Sequence, residues 1–448
     1  MPALSPREIM DRVRALAERS GAAQAETYLE VVRFTEVRVR QREVELVRQS
    51  AIQGLGLRVF RDRRMGFMYT TDVRPQVLDE IVNRTIALAG EASPRDENKI
   101  SEETAPAVLD LEIHDDSVLR MRPEDLTVLA RSAEENAFAQ DNRVHQTLDA
   151  RCGVQSNEVY FSSTYIPYQT YRASACWLSV TAIASEGNQN RTGTFTDMKR
   201  IFADLETPER LGRKAASRAV ARLGAAGVPS AKVPVIFDAE AAGDFLRGLF
   251  SAFSGAQVVE QRSFLAGKQG TQIASPLLTI VDDALTRRGL GSRPFDGEGV
   301  QSRRNVVVER GVLKRFLHTT VSARRMGVGP TGNAVRSYDS LPTAGPTNFY
   351  VDRGPDKLSK LIETVPRGLL VTDLAGFGID VVSGEFSQQV EGTWIEGGKL
   401  TKPVEGVTVG GKLQDMLMGI DGVASDLDFR SNVSSPSIRF RELTIGGA

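Results

Sequence analysis

Apolar positions recur along this chain with two different periods, and the changes of period mark its elements. Ser5-Pro6-Arg7-Glu8 reads as a capping box, with a hydroxyl N-cap, proline at the first helical position and glutamate at the third. The helix it opens carries Ile9, Val13, Leu16 and Ala17 on one face and ends near Gly21. A period of two then runs through 26–32, 35–39, 43–51, 54–60 and 64–69, which predicts strands. Arg38, Arg40 and Arg58 fill alternate positions there, the pattern of a half-solvated antiparallel sheet rather than a nucleic-acid strip. A second helix over about 74–89 closes the block.

Residues 90–108 are rich in Glu, Ser, Pro and Asn and read as a linker or long loop. A helix over about 123–139 follows, then strands near 144–151, 153–163, 170–186 and 194–203, then a helix over about 208–223. The first half thus has a helix, strands and a helix twice over, without a clear repeat of residues. After 225–232 the texture changes. The remainder offers helices near 238–253, Ser322 and 413–419, and otherwise short strands between glycine-rich turns. The expected fold class is α+β. An N-terminal α/β-mixed domain with antiparallel sheets covers 1–224, with sub-blocks about 1–92 and 109–224 and a linker near 93–108. A β-rich sandwich or barrel with few helices covers 233–448.

Composition narrows the chemistry. The chain has 448 residues, 56 basic and 57 acidic, so bulk charge drives it toward neither nucleic acid nor an anionic membrane. No stretch approaches a membrane span, and the first residues lack the apolar core of a signal peptide, so the expected location is the cytoplasm. Its three histidines, His114, His145 and His318, and two cysteines, Cys152 and Cys176, form no short motif. A self-contained zinc site is not expected from so few imidazoles and thiols. Both thiols are expected to be buried and inert, and His318 to be a packed or surface residue. Neither H-E-x-x-H nor G-x-S-x-G nor S-x-x-K occurs.

Gly327-Val328-Gly329-Pro330-Thr331-Gly332 matches G-x-G-x-x-G, but Pro330 lies inside it and Asn-Ala-Val-Arg-Ser-Tyr follows without helical periodicity, so a surface loop is expected. Gly54-Leu55-Gly56 reads only as a strand with two glycines. Asp296-Gly297-Glu298-Gly299 places two carboxylates in a flexible turn, more readily a structural turn than an acid–base pair or a hard-cation site.

An ordered set of phrases carries a resemblance. It comprises Val235-Ile236-Phe237, Ser251-Ala252-Phe253-Ser254-Gly255, Leu278-Thr279-Ile280-Val281-Asp282-Asp283, Phe295-Asp296-Gly297-Glu298-Gly299-Val300, Ser322-Ala323-Arg324, Thr331-Gly332-Asn333, Ser383-Gly384-Glu385-Phe386-Ser387 and Ile395-Glu396-Gly397-Gly398-Lys399. With Gly54 to Phe60 and Arg64 to Phe67, the set resembles the TldD/PmbA family, also called modulators of DNA gyrase. TldD-type chains carry H-E-x-x-x-H on the helix opening the C-terminal domain and a late cysteine. Here Arg247 and Ala252 stand at the histidine positions and Gly248 at the glutamate, and 429–437 has no cysteine.

The resemblance therefore implies a chain of the PmbA, or TldE, type: the metal-free subunit of a cytoplasmic metallopeptidase complex acting on small or unfolded peptides. It implies a TldD-type partner holding zinc, with no cofactor, catalytic residue or metal ligand in this chain; the family name suggests a DNA connection, but the charge balance supports no direct nucleic-acid or membrane contact. Asp296, Glu298, Arg324, Asn333, Ser383 and Ser387 are the candidate peptide or partner contacts. The alternatives are a stand-alone homodimeric peptide-binding or scaffold protein, and an enzyme using an unrecognised non-metal site, with Asp296 and Glu298 as its first candidates.

Overall fold

The computed structural model describes residues 4–102, 109–376 and 378–447. Part of the expected linker, 103–108, lies outside them. Helix α1 (Pro6–Arg19) starts at the capping box read from sequence: Ser5 Oγ accepts from the Glu8 amide and the Glu8 carboxylate accepts from the Ser5 amide at 2.8 Å. The strands expected over 26–39 are one strand, β1 (Gln24–Arg40), and those over 43–60 are one strand, β2 (Glu43–Arg61). The chain reverses between them at Gln41 and Arg42, both left-handed at φ 51° and 66°. The two amides of this turn donate to the carboxylate of buried Glu134 at 2.9 and 2.6 Å, which offsets the strain of two non-glycine residues there. Strand β3 (Arg64–Thr70) and α2 (Pro75–Glu91) complete the first unit.

The second unit repeats that order with α3 (Pro123–Gln140), β4 (Val144–Ser163), β5 (Gln169–Glu186), β6 (Gln189–Lys199) and α4 (Pro208–Ala221). One antiparallel sheet joins the units in the order β3-β2-β1-β4-β5-β6, with β1 and β4 at its centre. The helices cover one face. A correspondence of residues that the sequence does not display appears in the packing. A Cβ on Gly66 of β3 would stand 2.1 Å from the Thr85 carbonyl oxygen in α2, and one on Gly193 of β6 would stand 2.1 Å from the Ala219 nitrogen in α4. Each unit thus seats its closing helix on a glycine of its third strand.

The C-terminal part is β-rich and contains a closed five-stranded barrel. Its strands are β7 (Ala231–Phe237), Arg367–Ala375, Glu385–Glu396, Lys399–Lys412 and Ile438–Gly446. Arg367–Ala375 pairs with both β7 and Glu385–Glu396, which closes the ring. Helix α5 (Ala239–Leu249) packs on it through Phe245, which meets Phe237, Phe386 and Phe440 edge-on at 5.6 to 5.7 Å between ring centres. A second sheet is built on Ile280–Asp283 and Arg304–Glu309. Short helices at Gly255–Val259 and Leu358–Glu363 were not evident in the sequence, being a turn or two long.

The two glycines make a stability prediction. Gly193→Ala forces β6 away from α4 and should cost about 1–3 kcal/mol in chemical denaturation. Gly90→Ala, on an exposed turn of α2 with nothing within 4 Å, should be neutral or stabilise by about 0.5–1 kcal/mol.

Candidate functional site

The helix α5 begins at Asp238, whose carboxylate accepts from the amides of Glu240 and Ala241 at 3.1 and 2.9 Å. After Leu249 the coil tightens into a 3₁₀ turn, Phe250–Phe253. Arg247 lies on the outer side, its Nη2 donating to Ser431 Oγ at 2.9 Å. The space over Gly248 is filled by Ile379, whose Cδ1 would be 2.4 Å from a Cβ there. Ala252 is wholly buried. Arg247 is exposed and Ala252 points into the core. None of Arg247, Gly248 and Ala252 has a side-chain lone pair to give a metal, and a guanidinium is a permanent cation. The late segment packed beside α5 brings Ser431 and no thiol. Among the described residues no group of three or more His, Cys, Asp or Glu could hold a metal ion. The residues present do not fit a zinc centre.

Asp296 and Glu298 do not lie in a flexible turn. They are 2% and 1% exposed, at the junction between the open face of the first sheet and the C-terminal part. Arg58 of β2 donates through Nη2 to Glu26 at 2.7 Å and to Glu298 at 3.1 Å. Arg336 donates to the other oxygen of Glu26 at 2.6 Å. Glu298 also accepts from the amide and hydroxyl of Thr320 at 2.7 and 2.6 Å. Two cations and two anions, one of each from either part of the chain, are thus paired crosswise in the interior. Burial works against the charge of Arg58, but Glu26 and Glu298 hold its pKa above the ordinary arginine value. Burial, with the charge of Glu298, pushes Asp296 up to about 7 against the pull of Arg293 and of the amides of Ala334 and Glu298. Its oxygens accept from the amides of Glu298, Val300 and Ala334 at 2.8 to 3.0 Å.

The other candidates divide. Asn333, also buried, donates to Asp282 at 2.6 Å and accepts from Asn305 at 3.2 Å, a structural network next to Asp296. Arg324 lies close in sequence to Thr320, but its guanidinium grips the carbonyl oxygens of Glu97, Lys99 and Ile100, clamping the described part of the linker. Ser383 and Ser387 are exposed and elsewhere, on the loop and strand at Glu385–Glu396. Ser383 donates to Asp380 within its own turn. So Asp296, Glu298 and Asn333 come together, without a free oxygen for a substrate.

Three residues of this junction were misread or missed. Arg58, expected on a half-solvated sheet, is 3% exposed. Glu26 and Arg336 were not singled out. The available signal was Gly54-Leu55-Gly56, which is more than a strand with two glycines. A Cβ on Gly54 would stand 2.3 Å from the Tyr338 ring, and one on Gly56 2.3 Å from the Tyr338 carbonyl oxygen. The glycines let the second part dock on the sheet. The G-x-G-x-x-G match is an exposed loop only over 327–329. Its second half is buried and leads the chain to Arg336 and Tyr338. Cys152 and Cys176 are buried free thiols that burial pushes up to about 12, which makes them inert. His318 is 4% exposed, and burial pushes it down to about 4.

An antiparallel sheet covered by helices on one face and docked on a barrel that carries α5 defines the class, a two-part α+β protein. Three family models match in succession: PmbA/TldA metallopeptidase domain 1 over 25–89, the central domain over 116–223 and the C-terminal domain over 230–447. The chain belongs to the PmbA/TldD family. It is 30% identical over 414 residues to the metalloprotease PmbA of Escherichia coli O157:H7, covering 92% of this chain and 89% of that one. A candidate modulator of a DNA gyrase from Thermotoga maritima superposes with a TM-score of 0.91 at 26% identity, over 99% of this chain and all of that one. TldE from Thermococcus kodakarensis shares the fold, with a TM-score of 0.87 at 22% identity over 98% of this chain and all of that one.

Two predictions follow from these geometries. Glu298→Gln leaves Arg58 underpaired in the interior and should lower stability by about 3–5 kcal/mol; the double variant with Arg58→Met should cost less than the sum of the singles in a double-mutant cycle. His318 is lowered below its unfolded value, so the unfolded chain binds its proton first and stability falls as pH drops through about 6.5 toward 4. The stability difference between the parent and His318→Gln should therefore shrink by up to about 2 kcal/mol between pH 7 and pH 5 in denaturant titrations.

Proposed function

We propose that this chain is the non-catalytic subunit of a cytoplasmic peptidase complex whose zinc is held by a TldD-type partner. The observation that carries the reading is at α5. Where TldD-type chains carry H-E-x-x-x-H, this chain has Arg247, Gly248 and Ala252, with Ile379 in the space over Gly248. In this reading the chain supplies shape and substrate contacts, and the partner supplies the hydrolytic chemistry on small or unfolded peptides.

The first sheet supports a role in holding an extended peptide. Strand β3 pairs with β2 only from Leu55 onward, so Glu43–Gly54 of β2 is bonded to β1 on one side and, among the described residues, has a free edge on the other. Val44, Leu46, Val47 and Ile52 of this edge are 40 to 46% exposed. A free edge with apolar side chains offers main-chain hydrogen bonds to any extended segment, largely independent of its sequence. The same edge would serve a second copy of the chain, which is the homodimeric scaffold reading.

Co-expression with a TldD-type chain and mass measurement of the intact assembly decide between them. The expected result is a mixed complex that carries zinc and cleaves peptides in a chelator-sensitive way, while this chain alone carries no stoichiometric zinc and cleaves nothing. A homodimer that ignores the partner, or peptidase activity in the isolated chain, would remove the proposal.

A further inference from the structure

Beside the paired charges, the open face of the first sheet and the C-terminal part leave a cleft of about 290 Å³. Its size suits a small ligand or the end of a chain, since pockets for drug-sized ligands run from about 300 Å³ upward. Tyr28, Asn157 and Tyr171 line it from the sheet, and Arg200, Arg293 and Asn432 from around it. The charges within it are unevenly matched. Arg336 also reaches the cleft, but its charge is met by Glu26. Arg200 is held by carbonyl oxygens alone, those of Ser174, Gly289 and Leu290, and burial pushes it down to about 10 with no carboxylate beside it.

Arg293 has less still. Its Nε and Nη2 are shut off from solvent and have no hydrogen-bond partner among the described residues. It makes no ion pair among the described residues. Asp282 and Asp296 feel its charge, yet their oxygens are already taken by Asn333 and Thr347 and by the three amides described above. Glu30 is the carboxylate that lines the cleft, and it too is unpaired with Arg293; burial raises its pKa, partly offset by a backbone hydrogen bond from Tyr338. The hydroxyls of Tyr28 and Tyr171 donate to no described protein group. A guanidinium without an ion pair, flanked by unengaged hydroxyl donors and a second arginine held by carbonyl oxygens, is an excess of donors at the cleft wall. Such a group is costly to bury unless an anion completes it.

We infer that this cleft is an anion subsite in which Arg293 receives the carboxylate of a small peptide, its C-terminus or an acidic side chain. The anion follows from the geometry; naming a peptide as its source rests on the reading of the preceding subsection. Nη1, the guanidinium nitrogen not shut off from solvent, would donate to the carboxylate, with the tyrosine hydroxyls able to donate to the same oxygens.

Calorimetric titration of the full-length chain at low salt with trialanine as the free acid, trialanine amide and inorganic phosphate tests it. The free acid should bind saturably and the amide at least about tenfold more weakly, as loss of a charge-assisted pair implies. Arg293→Gln should weaken the free acid to the level of the amide, and Arg293→Lys should fall between, with both variants folded by circular dichroism. Equal binding of acid and amide, equal binding by Arg293→Gln, or binding of phosphate without the peptide acid would each overturn the assignment. None of these outcomes bears on whether the chain joins a TldD-type partner, so failure of the subsite and failure of the subunit reading are separable.

Discussion

Four charges buried at one junction constrain everything around them. Glu26 and Arg58 come from the first sheet, and Glu298 and Arg336 from the second part of the chain. Burying any of them alone would cost several kcal/mol. Each part carries one of either sign, and the cross pairs Arg58–Glu298 and Arg336–Glu26 complete the set. Separation of the parts would strand two of these contacts at once. The arrangement fixes orientation more than it adds net stability, because desolvation consumes much of the attraction.

Dense hydrogen bonding makes the junction a poor place for catalysis and a good place for a frame. The Glu298 carboxylate meets Arg58 and both donors of Thr320, and Asp296 takes three amides. Such groups are saturated and rigid. Chemistry that needs a free lone pair has to lie elsewhere, and in this chain the helix α5 does not offer it. Arg293, which makes no ion pair among the described residues, is a cation and suits binding rather than bond cleavage.

Much of the architecture was legible because local chemistry and packing agree. The capping box at Ser5, the apolar face of α1 and the helix over 208–221 need only nearest-neighbour rules. β1 and β2 were read as four pieces because polar residues such as Arg33 and Gln53 interrupt the alternation where one face changes its covering. Arg58 shows the deeper limit. A strand with charges on alternate positions looks the same whether that face meets water or another part of the chain carrying opposite charges. Only the second partner distinguishes them, and Arg336 and Glu298 are separated from Arg58 by more than half the chain. Gly54 and Gly56 were the local sign that something approaches the sheet closely, but glycine does not say what. The absence of ligands at Arg247, Gly248 and Ala252 was legible because it depends on identity alone. The unmatched charge of Arg293 was not, because it depends on what other groups have already claimed.

β1 and β4 are the first strands of two equivalent units, and they pair with each other in opposite directions. Contact of like with like across an antiparallel pair is what a twofold axis produces between identical subunits. Glycines 66 and 193, each seating the closing helix of its own unit, mark the same relation at the two outer edges. In those terms the centre of the sheet is a dimer interface carried inside one chain, and a covalent link replaces concentration in keeping it formed. A symmetric pair would have to present the same face twice. Joined in one chain, the halves are free to differ: the first carries Glu26, Arg58 and the two glycines that admit Tyr338, and the second carries Phe161, against which Gly299 is packed. The asymmetry needed to seat a single C-terminal part on a twofold platform is a consequence of that joining.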